Sequence, residues 1–177
     1  MELDYMEKKA IEEKVTALLS QYSYDQDRDD YIDIIDFVKK QGFSVGNALL
    51  SESEDGFLAI RPSSIIKGNS DKIIGVNVNR SLELKRFIIA HEFAHSVLHY
   101  GSGQVFLHRE NKKGKGEEEN DADYFAAALL MPRDSFKRVY QRLKAENLPE
   151  NMIYLKLAAI YKVPSESVLR RISEIDM

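Results

Sequence analysis

The chain has 177 residues, no cysteine, a formal net charge of −4, and 44% hydrophobic against 31% charged residues. That composition suits one globular domain, or one domain with a small appendage, and it excludes disulfides, a thiolate metal site and a global attraction to nucleic acid. No apolar run reaches the roughly 18 residues of a membrane span, and Met1-Glu-Leu-Asp-Tyr-Met-Glu-Lys-Lys9 lacks the basic-then-apolar layout of a secretory leader, so a cytoplasmic protein is expected.

Apolar residues at Ile11, Val15, Leu18 and Leu19 keep a helical period and predict a first helix over Met6 to Tyr22. Gln26 to Asp30 is polar and reads as a loop. Tyr31 to Lys40 predicts a second helix, with Ile32, Ile35 and Val38 on one stripe and its end near Gly42. Phe43-Ser-Val45, Phe57-Leu-Ala-Ile-Arg61 and the alternating Lys72-Ile-Ile-Gly-Val-Asn-Val-Asn79 predict strands, the second stopped by Pro62. The expected result is a small antiparallel sheet ahead of the next helix, one edge of which can pair with an extended peptide.

That helix, Leu82 to His99, carries the densest chemistry of the chain. Within it His91-Glu92-Phe93-Ala94-His95 is an H-E-x-x-H motif. Residues four apart share a helix face, so His91 and His95 can offer two imidazole nitrogens to one ion. Glu92 points beside that pair, where a water on the metal would sit. Ile88, Ile89, Ala90, Phe93, Ala94, Val97 and Leu98 surround the motif, as on a buried helix. Buried histidines and a buried glutamate need partners, and a metal ion supplies one. A pair of core histidines bonded to backbone would account for the imidazoles but not for Glu92 beside them.

Three protein ligands and a water form a catalytic zinc site. His99 lies a full turn beyond His95 and is expected to miss the ion, which leaves a carboxylate from another element. Gly101 to Gly116 intervenes first. In it Gln104 to Arg109 predicts a short strand, and Asn111-Lys-Lys-Gly-Lys-Gly116 a solvated charged loop. His108 and Arg109 are either a surface pair or donors to the oxyanion of a tetrahedral intermediate.

Glu117 to Leu130 predicts the second metal-bearing helix. Glu117 and Glu118 suit an acidic first turn. Glu119 is the preferred third ligand, with Asp121 as an alternative. Asp123, one turn on, would accept the outer N–H of a metal-bound histidine. Ala122 and Ala126 on the same face allow close helix approach, and Pro132 ends the helix.

The remainder is helical. Phe136, Val139, Tyr140 and Leu143 mark one helix, and Asn147-Leu-Pro149 breaks it. Leu155 to Val163, Pro164 and Ser165 as N-cap, then Val168, Leu169 and Ile172, look like a helix-turn-helix. From Arg133 onward nine Lys/Arg face six Asp/Glu, a local surplus of +3. Lys162, Arg170 and Arg171 are the cations near the turn, a thin basic face for reading DNA. Packing on the core or docking a protein is the expected role. The reading is thus a mainly helical α+β chain, with residues 1–132 as the metal-bearing core and 133–177 as a C-terminal helical segment packed on it.

Two blocks together carry a resemblance. Arg86-Phe-Ile-Ile-Ala-His-Glu-Phe-Ala-His-Ser-Val-Leu-His99 and Glu119-Asn-Asp-Ala-Asp-Tyr-Phe-Ala-Ala-Ala-Leu-Leu-Met-Pro132 resemble the two active-site segments of the ImmA/IrrE metallo-endopeptidases. The resemblance implies a zincin-like, gluzincin-like peptidase core. It implies Zn2+ on His91, His95 and Glu119, and Glu92 as general base. It further implies a protein substrate, a helix-turn-helix transcriptional repressor of a mobile element or stress response. A non-catalytic repressor-binding or DNA-binding module with a structural metal is the competing expectation.

Overall fold

The computed structural model describes residues 3–25, 30–62, 70–100, 106–109 and 116–175. Among them the elements run α1 (Tyr5–Tyr22), α2 (Ile34–Lys40), β1 (Phe43–Ala48), β2 (Gly56–Pro62), β3 (Ser70–Asn77), α3 (Leu82–Leu98), β4 (Phe106–Arg109), α4 (Glu117–Leu130), α5 (Arg133–Ala145), α6 (Glu150–Tyr161) and α7 (Ser165–Glu174). Most of the Gln26–Asp30 loop, the start of the Gln104–Arg109 strand and all but the last residue of Asn111–Gly116 lie outside the described residues.

Helix starts follow side-chain caps. The Asp4 carboxylate accepts from the amides of Met6 and Glu7, and Glu7 reaches back to the Asp4 amide at 2.8 Å, a closed capping box for α1. Asp33 accepts from Ile35 N and Asp36 N at 3.1 Å, so α2 begins at Ile34 rather than at Tyr31. Gly42, at φ 85°, then turns the chain into β1, a conformation that favours glycine. Ser81 accepts from Leu84 N at 3.2 Å and starts α3.

The sheet is mixed, in the order β1-β3-β2-β4. β2 pairs antiparallel with β3 and with β4, but β1 runs parallel to β3, with Phe43 opposite Lys72 and Ala48 opposite Asn77. The all-antiparallel sheet expected ahead of α3 is therefore corrected twice: one pair is parallel, and β4 joins from beyond α3. Leu58 and Ile60 of β2 and Ile74 and Val76 of β3 are almost wholly buried, as suits the two inner strands.

α3 packs against β2 and β3 and also against α4, which in turn lies on α1. Phe93 of α3 meets Phe37 and Phe43 edge-on at 5.5 Å between ring centroids and Phe125 of α4 at 6.1 Å. One aromatic ring thereby joins α2, β1 and α4 to the helix that carries the motif. Ala90, Ala94, Ala122 and Ala126 are fully buried, which permits close approach between helix backbones.

The C-terminal helices each begin after a proline, at Pro132, Pro149 and Pro164. Ser165 is the first helical residue of α7 and not its cap. Pro164 occupies that position at φ −58°, the value its ring imposes. Arg171 of α7 is fully buried. Its Nε donates to the Met131 carbonyl at 3.1 Å, and its Nη1 lies 2.7 Å from Glu12 Oε1 as an ion pair not aligned as a hydrogen bond. Tyr124 donates to the same Glu12 oxygen at 3.0 Å, so α1, α4 and α7 share one buried polar junction.

Candidate metal centre

The 3.6-residue period of α3 stacks His91 and His95 on one face, and both are buried. Their Nε2 atoms lie 3.1 Å apart. Glu119 comes from the first turn of α4, where His91 Nε2 to Oε2 is 3.3 Å and His95 Nε2 to Oε1 is 3.5 Å. The two imidazole nitrogens and the carboxylate, one oxygen of which faces each ring, thus form a compact triangle of groups, and these residues can hold a metal ion. Zinc bound at about 2.0–2.1 Å by imidazole and carboxylate needs donors about 3.3 Å apart along a tetrahedral edge, and the shortest nitrogen–nitrogen and nitrogen–oxygen separations lie near that value. Asp121 is not among the converging residues, and His99 turns away to donate to the Glu118 carbonyl at 3.1 Å.

Protonation suits the same use. Burial, then the neighbouring His91 and His108, push His95 down to about 3, so its ring is neutral and keeps a lone pair. The hydrogen bond from His108, with the neighbouring His91, holds the Glu119 carboxyl well below its ordinary range, so it is ionised. Asp123 Oδ1 accepts from His91 Nδ1 at 3.0 Å, which fixes the tautomer whose Nε2 lone pair faces the triangle. Asp123 Oδ2 in turn accepts from Arg170 of α7 at 2.8 Å.

Glu92 is fully buried on the same turn of α3. Its Oε1 has no hydrogen-bond partner among the described residues, and such an atom is costly unless something further fills the site. Its Oε2 accepts from His108 Nδ1 at 3.1 Å, while His108 Nε2 donates to Glu119 Oε1 at 2.8 Å. The His108 ring stacks on His95 at 3.7 Å between centroids. Burial alone would lower the His108 pKa, but the two carboxylates outweigh it and raise the group to about 9. The side chain of Arg109 lies outside the described residues.

Gly56 explains how the sheet comes so close. A Cβ there would collide with Ile88 of α3, would meet the Gly75 carbonyl oxygen at 3.0 Å and would stand 3.3 Å from Glu92 Oε1. Sequence reasoning placed the two histidines, both carboxylates and Asp123 on two helices. It missed Gly56, the double contact of His108 and the role of Arg170 beside Asp123. A glycine opening an otherwise apolar strand was the available signal for close backbone approach at Gly56.

A helix carrying two histidines and a glutamate, set between a small sheet and a second helix that brings a carboxylate, defines a metallopeptidase-type centre. The chain belongs to the IrrE N-terminal-like domain family, peptidase family M78, whose model matches residues 48–173. The match runs from the end of β1 into α7 and so takes in both metal-bearing helices. A search of curated proteins returns no match. No helix of the described residues is long and apolar enough to cross a membrane.

Proposed function

We propose that this chain is a zinc-dependent endopeptidase that cuts one peptide bond in a specific regulatory protein, a helix-turn-helix repressor of a mobile element or stress response, in the cytoplasm. The observation that carries the reading is the convergence of His91 Nε2 and His95 Nε2, 3.1 Å apart, on the Glu119 carboxylate, whose Oε2 lies 3.3 Å from the first and Oε1 3.5 Å from the second, beside a buried glutamate. Family membership supports the same reading. His91, His95 and Glu119 would hold the ion. When bound, zinc supplies a Lewis acid and brings the pKa of a water from about 15.7 to about 7.

The rest is the work of this chain's own side chains. Glu92, with one oxygen lacking a partner among the described residues, takes the proton of the attacking water and returns it to the leaving amine as the C–N bond breaks. Asp123 keeps the His91 proton on Nδ1. Burial of Glu92, His91 and His95 keeps bulk water from competing for the base. His108, on the edge strand β4, faces Glu92 and Glu119 together and is placed to donate to a developing oxyanion or to orient Glu92.

One observation favours a second reading. His108 is a fourth side chain against the triangle, and a structural zinc has four protein ligands. In that case the chain acts by binding a repressor without cutting it. Co-expression with a candidate repressor separates the two. Glu92→Gln should retain zinc and abolish cleavage. If Glu92→Gln cleaves as well as the parent, the base is wrongly assigned. If the zinc-loaded parent never cleaves but still retains the repressor, the binding reading holds.

A further inference from the structure

Resting on the metal reading above, we propose that Arg170 of α7 is a positioning residue for the centre: it holds Asp123 so that one carboxylate oxygen is kept for His91.

The contacts form a line across two helix packings. Glu174 Oε1 accepts from Arg170 Nε at 2.7 Å, Arg170 Nη1 donates to Asp123 Oδ2 at 2.8 Å, and Asp123 Oδ1 accepts from His91 Nδ1 at 3.0 Å. His91 then presents Nε2 to His95 and Glu119. Arg170, Asp123 and His91 each face a neighbour on either side of them in this line. The guanidinium is a planar fork, and with Nε on Glu174 its Nη1 direction is set. Asp123 consequently has its rotamer defined from both ends, and a carboxylate fixed in this way orients a ligating imidazole better than one free to turn.

The surroundings make Arg170 more than an exposed ion pair. The Asp123 side chain is 12% exposed and that of Arg170 35%. A cleft of about 250 Å³ reaches His91 and Asp123 between Leu84, Ile88 and Pro164, with Arg170 in its wall. Taking the guanidinium away would let water reach the carboxylate oxygen it now occupies. The neighbouring Arg171 holds α7 in place independently, through Met131 and Glu12, so α7 does not depend on Arg170 for its docking.

Two effects oppose each other. The Arg170 charge repels a nearby cation, and removing it would tighten binding. Loss of orientation at Asp123 and His91 would weaken binding. The proposal is that orientation wins.

Zinc affinity, measured by competition with a chromophoric chelator, tests this on the parent, Arg170→Met, Asp123→Ala and the double variant. Cobalt absorption of the same proteins reports the geometry around the ion. Arg170→Met should weaken zinc about tenfold and alter the cobalt spectrum. In the Asp123→Ala background the same change should weaken zinc no further, because the orienting contact is already gone and what remains, relief of the charge repulsion, acts in the opposite direction. Unchanged or tighter zinc binding in Arg170→Met, or equal losses in both backgrounds, would overturn the proposal. A lower melting temperature with intact affinity would do the same, since that is the signature of a purely structural ion pair. If Arg170→Met does not fold, Arg170→Lys carries the same comparison, since it keeps the charge and loses the fork. A parent that binds no zinc defeats the metal reading itself, whereas additive losses in a zinc-binding parent defeat only the assignment of Arg170.

Discussion

His108 Nδ1 stands 3.1 Å from Glu92 Oε2, although the two residues lie on an edge strand and a buried helix. With its other nitrogen on Glu119, the ring donates from both ends and is an imidazolium in the metal-free protein. A raised folded pKa contributes stability that is complete below the unfolded value near 6.5 and is lost as pH climbs through about 9. The urea midpoint of chelator-treated protein should therefore fall between pH 6.5 and 9.5. His108→Gln should flatten that slope, and a slope unchanged in the variant would refute the pairing.

Glu119 and Asp121 stood as alternatives in the sequence, and the two differ in what they face. Glu119→Ala should weaken zinc by more than about a hundredfold, beyond what loss of a supporting residue costs. It should also abolish the rise in melting temperature that saturating zinc gives the parent. Asp121→Asn should change neither quantity. Calorimetric titration with zinc, together with thermal melts, checks both variants.

Gly56 has no room for a side chain against Ile88. Gly56→Ala should cost about 1–3 kcal/mol of stability through overpacking. It should also reduce peptidase activity further than the fraction unfolded explains, since the displaced atoms adjoin Glu92. A variant with parental stability in urea denaturation would show that the sheet relaxes freely at this point.

The junction of Arg171 with Glu12 yields an asymmetric expectation. Arg171 is fully buried, with Glu12 as its ion-pair partner at 2.7 Å and Glu174 also interacting with it electrostatically. Glu12→Ala removes the ion-paired carboxylate and should cost about 3–5 kcal/mol. Replacing both with apolar residues, Glu12→Leu with Arg171→Met, should recover most of the loss. Denaturant midpoints of the two proteins decide the matter, and equal destabilisation would contradict it.

Local signals reached far in this chain because its chemistry is local. His91, Glu92 and His95 fall within five residues, and α4 spans Glu117–Leu130, as its acidic first turn and apolar period predict. The mixed sheet was not legible, since strand patterning shows which faces are buried and not which neighbour each strand takes. The Arg170 contact to Asp123 crosses 47 residues and joins two helices whose periods are each complete without it. His108 reads as a surface residue until β4 is paired with β2, with His108 opposite Leu58, beside the buried helix. The start of α2 was misread because Ile32 is buried and keeps the helical spacing while the chain is not yet helical there.

The central place of β3 has a further meaning for how the molecule assembles. β1 and β2 are made first but never touch as neighbours, because a strand synthesised later separates them. No hairpin of β1 with β2 can therefore seed this sheet, and both strands wait for residues 70–77. Four residues separate the end of that strand from the start of the helix with the paired histidines. The segment that joins the first two strands is thus the one that launches α3, and a nascent chain completes the candidate metal centre only when β4 and α4, made later still, bring His108 and Glu119 to the paired histidines.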